Sequence, residues 1–474
     1  MKAKRKSPYS AAAPALCAAC LLVVGAAAAQ QGPANTSVRE TPVRVANFVS
    51  KPLAFPIEQH KLANGMRVVF SVDHSAPVYA ISIVYDVGSR NEKAGRTGFA
   101  HLFEHMMFQG SDNVGKGEHV ILVLNNGGGV NGTTNEDRTA YFEQLPANQL
   151  DLGLYIEADR MRALAVNQAN LDNQRKAVQE ERRLGIDNQP YGATEEALSD
   201  ILYDNFAYKH SVIGSMADLD AASIDDVKDF FRLYYAPNNA VLTLVGDFDP
   251  KVALEKINRY FGSIPSQPTP PRPDLSEPPQ TAERRRRLDD TFAQTPRLDE
   301  LYKVSAGETQ EWFAVVTASE ILGGGQSSRL YQRLVKEKEL AVNVATDVEN
   351  RPGPSPFQIE VMLKPGGDFA AVEQVVQEEL ERLQKEPVAQ WELDKVRLSS
   401  RRQRAQRLRS SLARAVVIGD LTAKFGDSNL INTYETSLNA VTPRDVQKAA
   451  QKYFTPAQRC VIQTYPKPAA GGAQ

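Results

Sequence analysis

Cysteine is nearly missing from this chain, with three in 474 residues, at positions 17, 20 and 460. The first two sit in an apolar N-terminal stretch that follows Lys2, Lys4, Arg5 and Lys6. It runs through Ala15-Leu16 and Leu21-Leu22-Val23-Val24, and ends in the small residues Ala26 to Ala29. A basic front, a short apolar centre and a small-residue exit form the pattern of a secretory signal peptide over residues 1–30. Cleavage is expected near Ala29 or Gln30, with a periplasmic or secreted destination. Cys20 lies before the end of the apolar run, which argues against a lipid-anchored cysteine. The mature chain then keeps only Cys460, so neither an internal disulfide nor a thiol–disulfide mechanism is possible. Long apolar runs are lacking too, since no other stretch approaches the ~18 residues of a membrane span. Positive charge is also short. The net charge of −2 becomes −6 once the four basic residues of the leader are gone. No electrostatic case for nucleic acid or an anionic membrane survives that, whereas peptides remain possible substrates.

What is present reads as globular: 42% hydrophobic and 24% charged residues in a chain too long for one ordinary core. The proline-dense segment from Pro265 to Pro279, with Pro270-Pro271 and Pro278-Pro279, can supply neither helix nor sheet-ladder hydrogen bonds. It predicts an interdomain linker over 265–287. On that reading an N-terminal extension covers 31–54, a first domain 55–264, a second 288–467 and a flexible tail 468–474. In the first domain, strand patterns such as Leu62 to Phe70, bent at Asn64-Gly65, alternate with amphipathic helical stretches. The class is therefore α+β. The two sides also resemble each other. Ser223-Ile-Asp-Asp226-Val227 through Tyr234-Tyr235-Ala236-Pro237 recurs as Thr442-Pro-Arg-Asp445-Val446 through Tyr453-Phe454-Thr455-Pro456, an offset of 219 (442 − 223), each followed by a strand pattern. Two related halves are expected. The arginine runs at 284–287 and 401–409 are expected to mark a domain edge and a solvated helix face. The glycine clusters 127–129 and 323–325 lack the Lys and Ser/Thr of a phosphate loop and are expected to be turns or close-approach loops.

Histidine is scarce as well, at six residues, and two of them fall within five positions. Between Gly98 and Gln109, Phe99, Leu102, Phe103, Met106 and Met107 recur at the spacing of one buried helical stripe, leaving His101, Glu104 and His105 on another face. At ~100° per residue two histidines four apart stand one above the other, a spacing that lets two imidazoles grip one metal ion. A carboxylate beside them is suited to take a proton from water that the metal has made more acidic. His60, His74, His119 and His210 lie among polar residues and are expected at the surface or, at most, behind the site. A catalytic zinc needs a third ligand from elsewhere. In the stretch Leu171 to Leu184, positions 174, 177, 178, 181 and 184 share a helical face, which favours Glu181 over the solvated Glu180, although spacing alone leaves the choice open.

Three segments together carry a family resemblance. They are Gly98-Phe99-Ala100-His101-Leu-Phe-Glu104-His105-Met-Met-Phe108-Gln-Gly110, then Asn131-Gly132-Thr133-Thr134 to Tyr141, then Glu181-Arg182-Arg183 with Asp187 to Gly192. The sequence resembles the pitrilysin/insulinase family of zinc metallopeptidases, in which the helix motif is the inverted His-x-x-Glu-His. Leu322 to Tyr331 is similar to that family's second-half signature, so the likeness spans nearly the whole mature chain. The resemblance implies two homologous α/β-sandwich domains around a chamber and one Zn²⁺ per chain. It makes Glu181, 76 residues after His105 (181 − 105), the third ligand and Glu104 the base. It also implies that substrate backbone adds to the edge strand at Asn131-Gly132-Thr133. Applying the offset sends His101, Glu104 and His105 to Glu320, Gly323 and Gly324, so only the first half is expected to hold zinc.

Two departures from the family pattern stand out. Gln174 replaces a Glu expected seven residues before the third ligand, so an amide rather than a carboxylate is expected behind it. Val335 and Val342 stand where active members carry an Arg and a Tyr that steady the oxyanion, and valine donates no hydrogen bond. The expectation is a zinc endopeptidase for peptides or unfolded segments. It is completed by a homologous partner chain that supplies Arg and Tyr in a heterodimer. The competing reading is a non-catalytic scaffold or chaperone-like subunit.

Overall fold

The computed structural model describes residues 51–467; the expected leader, most of the N-terminal extension and the tail from 468 lie outside the described residues. Two mixed sheets organise the chain. The first comprises β1 (Glu58–Lys61), β2 (Arg67–Val72), β3 (Val78–Tyr85), β4 (Gly129–Thr134), β5 (Thr139–Pro146) and β6 (Ala240–Gly246), in the order β1-β2-β6-β3-β5-β4. The second comprises β7 (Arg284–Asp290), β8 (Arg297–Val304), β9 (Ala341–Val348), β10 (Ser355–Leu363) and β11 (Cys460–Pro466), in the order β7-β11-β8-β10-β9. β2 and β6 run parallel, as do β7 and β11, and the other pairs are antiparallel. Without β1, the two strand orders are therefore the same order used twice. The expected duplication of an α+β unit is visible in topology as well as in sequence.

Eight helices matter here: α1 (Phe99–Met106), α2 (Gln168–Arg182), α3 (Gly192–Leu202), α4 (Ile224–Tyr234), α5 (Gln310–Gly323), α6 (Gln390–Arg407), α7 (Ser411–Phe425) and α8 (Pro443–Tyr453). The pair read as a repeat, α4 and α8, begins alike. Ser223 and Thr442 each cap a helix whose third residue, Asp226 or Asp445, bonds back to the cap. Each capping box satisfies two of the amide groups that a helix start leaves without partners, which is why the same local signal starts both helices.

The halves are not separable layers. β3 and β6 are buried nearly throughout, because both faces of the first sheet are covered. One face packs on helices of its own half, including α1 and α4. The other receives α7 from the second half, whose Ala415, Ile418 and Leu421 pack with Val69, Val84 and Val241. In exchange, α3 of the first half lays Ala197, Ile201 and Leu202 against Leu301 and Ile462 of the second sheet. Ion pairs tighten the seam, Arg138 with Asp420 at 2.9 Å and Arg351 with Glu136 at 2.8 Å. From Pro52 onward the described chain forms one compact unit.

The predicted linker differs in two ways. It ends earlier than expected, because Arg284–Arg287, expected at the end of the linker, form the start of β7, paired with Cys460–Gln463. Its alternating exposed and half-buried side chains are those of an edge strand, where arginine is common protection against further pairing. The proline segment itself is docked: Asn205 donates to Asp274 O and Ser276 O, and Leu275 joins the core beneath α3. Among the described residues no helix is long and apolar enough to cross a membrane.

Candidate metal centre

α1 has only eight residues, too short to be stable alone. Its five predicted apolar residues hold it in place, since Phe99, Leu102, Phe103, Met106 and Met107 are each at most 3% exposed. At ~1.5–3 kcal/mol for each large side chain taken out of water, that stripe fixes the rotation of the helix and turns His101, Glu104 and His105 to the opposite side. The start of the helix is unusual. Gly98 adopts φ 85 and offers no side-chain cap, while the buried Glu92 carboxylate accepts from Gly98 N at 2.9 Å and Ala100 N at 2.8 Å. A carboxylate at a helix N-terminus is favoured by the helix dipole and by the free amides there.

The side chains converge as follows. His101 and His105 rings lie 4.9 Å apart. The Glu181 carboxylate, from the last turn of α2, reaches both, with Oε1 3.6 Å from His101 Nε2 and Oε2 3.0 Å from His105 Nε2. The three donor atoms lie within 4.8 Å of one another. Glu180 points elsewhere and pairs with exposed Arg183 at 3.1 Å. Burial, helped by the neighbouring His105, pushes the His101 pKa down to about 4, so at neutral pH its imidazole is in the uncharged form that ligates metals. Two imidazole nitrogens and one carboxylate meeting at one point form a donor set that suits zinc. His101, His105 and Glu181 are the residues that would hold it.

Glu104 sits beside this group. Thr134 Oγ1 donates to its Oε2 at 2.6 Å, and a β-carbon on Gly132 would meet Glu104 Cγ at 3.0 Å. Glycine at 132 therefore lets β4 lie close against the carboxylate. Burial raises the Glu104 pKa, and the Thr134 hydrogen bond and His105 pull it partly back. A carboxylate of raised basicity with one oxygen fixed and Oε1 left open is suited to receive and return a proton. The site opens into a cavity of about 340 Å³ whose lining includes His101, Thr134, Glu136, Glu181 and His210.

Several expectations change. β4 is the edge strand next to α1, as expected of Asn131-Gly132-Thr133, yet its polar groups are partly used within the chain. Gly132 N donates to Asn131 Oδ1, and Arg138 donates to Thr133 O and Oγ1. Gln174 is buried, but its amide donates to Asn173 Oδ1 at 2.7 Å rather than to Glu181. The shared face of α2 does not continue to position 184, because a π-helical turn over Arg183–Asp187 follows α2 and leaves Leu184 exposed. Of the two places expected for His210, the surface or behind the site, the structure shows the second. Its Nε2 lies 3.0 Å from Glu92, so it braces the carboxylate that starts α1. Glu92 and His210 lie 118 residues apart and had no local signal, whereas the alternation of β4 could have shown Thr134 on the same face as Gly132.

His119 is the largest correction. It is 3% exposed and faces Glu143 at 3.3 Å and Glu157 at 3.7 Å. These three also have the spacing of a metal group, but the Arg160 guanidinium bonds Glu157 and covers the rings of Phe108 and Tyr141. A fixed cation already balances the buried acid, so the cluster reads as an internal ion pair beneath α1. Val335 packs partly against the second core and Val342 is 56% exposed on β9; neither lines the cavity at His101.

Residues 67–215 match the family description "Insulinase (Peptidase family M16)" and residues 221–399 match "Peptidase M16 inactive domain". The zinc protease PqqE of Helicobacter pylori is 29% identical over 408 residues, covering 85% of this chain and 92% of its own. A crystal structure of a protease from Helicobacter pylori superposes with TM-score 0.83 at 29% identity, over 87% of this chain and 100% of that one. A Pseudomonas fluorescens structure described as a peptidase M16 inactive domain shares the fold, with TM-score 0.77 at 17% identity over 88% of this chain and 99% of that one. Since the two matches together run from β2 into α6, and these relatives align over nearly their full length, the chain belongs to the insulinase family, peptidase family M16.

Proposed function

We propose that this chain is an exported zinc endopeptidase acting on peptides or unfolded polypeptide segments. One observation carries the reading: His101, His105 and Glu181 converge beside a carboxylate, Glu104, that Thr134 holds by one oxygen. A zinc ion held there supplies Lewis acidity towards a peptide carbonyl and makes water easier to deprotonate. Glu104 Oε1 takes the proton from the attacking water and returns it to the leaving amine nitrogen. The outer edge of β4 at Asn131-Gly132-Thr133 orients the substrate backbone as an added strand, which exchanges part of the bonding that Asn131 and Arg138 now give it. Gly132 brings that strand within reach of Glu104.

The chain carries zinc ligands and base but has Val335 and Val342 where Arg and Tyr are expected. A missing oxyanion donor typically costs ~3 kcal/mol of transition-state stabilisation. The reading therefore includes a homologous partner chain that supplies both side chains to a closed chamber. The same two valines, with the likeness to an inactive domain, favour the second reading, a scaffold subunit. Zinc content and casein cleavage, measured for this chain alone and with a co-purifying homologous chain, separate the two. One zinc per chain with activity rising at least about tenfold on adding the partner is expected. Inactivity in both states would leave the scaffold.

A further inference from the structure

A second cavity, about 380 Å³, opens at the seam between the halves, where Arg138 meets α6, α7 and Tyr434. It lies across the first sheet from Glu104. Side chains alternate along a strand, so Thr134 faces Glu104 while Thr133 faces away, and Thr133 is the residue that Arg138 bonds. β4 thus touches the proposed active site through one residue and, through the next, Arg138 in the wall of this cavity.

The arginines here differ from the rest. Buried guanidinium groups elsewhere have carboxylate partners: Arg160 with Glu157, Arg297 with Asp299, Arg351 with Glu136 and Arg459 with Glu283. Among the described residues no carboxylate oxygen lies within 4.0 Å of half-buried Arg404 or of Arg407, which is exposed at the mouth, both lining the cavity. Arg404 stacks 4.3 Å over the Tyr434 ring and donates to Ile431 O at 2.8 Å, but its buried Nε has no acceptor. Burial also disfavours its charge, lowering its pKa. Glu435 and Glu308 offset that cost only in part and neither carboxylate touches Arg404 directly, so a cation partly withdrawn from water keeps a cost that an incoming anion can offset.

The wall contains acids too, and they set the size of the charge. Asp420 is held by Arg138 at 2.9 Å and Lys424 at 3.3 Å, and Glu308 accepts from Asn350 Nδ2 at 2.6 Å. Arg138, Arg404 and Arg407 against Asp420 and Glu308 leave a single net positive charge on the lining. That balances one carboxylate and falls short of a phosphate dianion. We propose that the cavity bounded by Arg138, Arg404 and Arg407 binds one carboxylate of a peptide substrate extended along β4. The inference rests on β4 meeting substrate as proposed above, and it adds a preference for peptides with an acidic group a few residues from the scissile bond, at ~3.3 Å per residue.

The test is a binding measurement that needs no turnover. Fluorescence anisotropy of labelled peptides is read on the full mature chain carrying Glu104→Gln, with and without Arg404→Gln/Arg407→Gln. The peptides carry Glu or Gln at matched positions and a free or amidated C-terminus, which separates a side-chain carboxylate from a terminal one. Losing the relevant carboxylate should weaken binding about tenfold in the Glu104→Gln chain and leave it unchanged in the double-arginine variant. Exposed Arg407→Gln alone should give part of the effect without altering thermal unfolding, which guards against a misfolded double variant. Equal affinity for all four peptides, or a carboxylate effect that persists without the arginines, would overturn the proposal. So would inorganic phosphate competing better than acetate. Failed zinc binding or cleavage would sink the catalytic reading and leave this ratio of affinities intact.

Discussion

The two halves repeat one strand order and one pair of capped helices, yet among the described residues the candidate metal-binding face lies in the first. At the positions offset by 219, α5 carries Glu320, Gly323 as its last residue, and Gly324 beyond its end. The helix stops where the second imidazole would have to stand. Thr346 also presses on Gly323, where a β-carbon would approach its Cγ2 and Oγ1 to 2.5 Å. In the first half the corresponding contact, Thr134 to Glu104, is a hydrogen bond to the proposed base. Duplication thus preserved the frame while one copy kept side-chain chemistry and the other filled the same space with backbone. A scaffold can be repeated cheaply because topology tolerates most surface residues, whereas a site fails when any one of its groups is lost.

Replacing Glu104 by Gln should break the chemical side of this contrast most severely. Peptide cleavage is expected to fall about 10²- to 10⁴-fold with zinc content unchanged, followed by kcat/KM and metal analysis. Loss of zinc with activity would instead make Glu104 a ligand. Glu181→Gln should come next, lowering zinc affinity beyond the ~10- to 100-fold typical of groups behind a ligand, while Glu180→Gln leaves it unchanged in a chelator competition. Equal effects would undo the choice between these neighbours. Thr134→Val should lower kcat about tenfold by freeing the Glu104 carboxylate, and Thr134→Ser should restore it. A serine variant as poor as valine would reduce Thr134 to packing.

The smallest effect belongs to the second half, whose buried acids serve no proposed chemistry. Burial raises the Glu300 pKa to about 7 despite Arg459. The folded chain therefore binds this proton more tightly than the unfolded chain, and the resulting stability, full below the ordinary Glu value, is lost as pH rises through about 7. Glu300→Gln should gain about 1 kcal/mol over the parent at pH 8 relative to pH 5, less than the pKa change alone implies because the bond from Gln377 also changes. Denaturant unfolding at the two pH values reads this directly, and an equal difference at both would show that Glu300 stays ionised.

Legibility followed distance along the chain. The stripe of α1, the capping boxes at Ser223 and Thr442, and the His-x-x-Glu-His face each span a dozen residues or fewer, and periodicity and capping act over such lengths. The linker boundary was misread because Arg284–Arg287 look solvated in isolation, and only pairing with β11 makes them a strand. His119 was misread for a similar reason. Lys116 and Glu118 before it are polar, but the apolar run Val120 to Leu124 after it marks a buried stretch, and neither side hinted at Glu143, Glu157 and Arg160 around it in the folded core.

Local order in the chain was sufficient to read an α+β duplication with a candidate metal-binding helix in its first half, because helix faces and caps depend on residues a few positions apart. Folding alone decided which carboxylate meets the histidines, that Glu92 and His210 hold the start of α1, and that α3 and α7 are exchanged between the sheets. Those contacts join residues tens to hundreds of positions apart. Their partners are selected by the burial of two shared sheets and not by any spacing in the sequence.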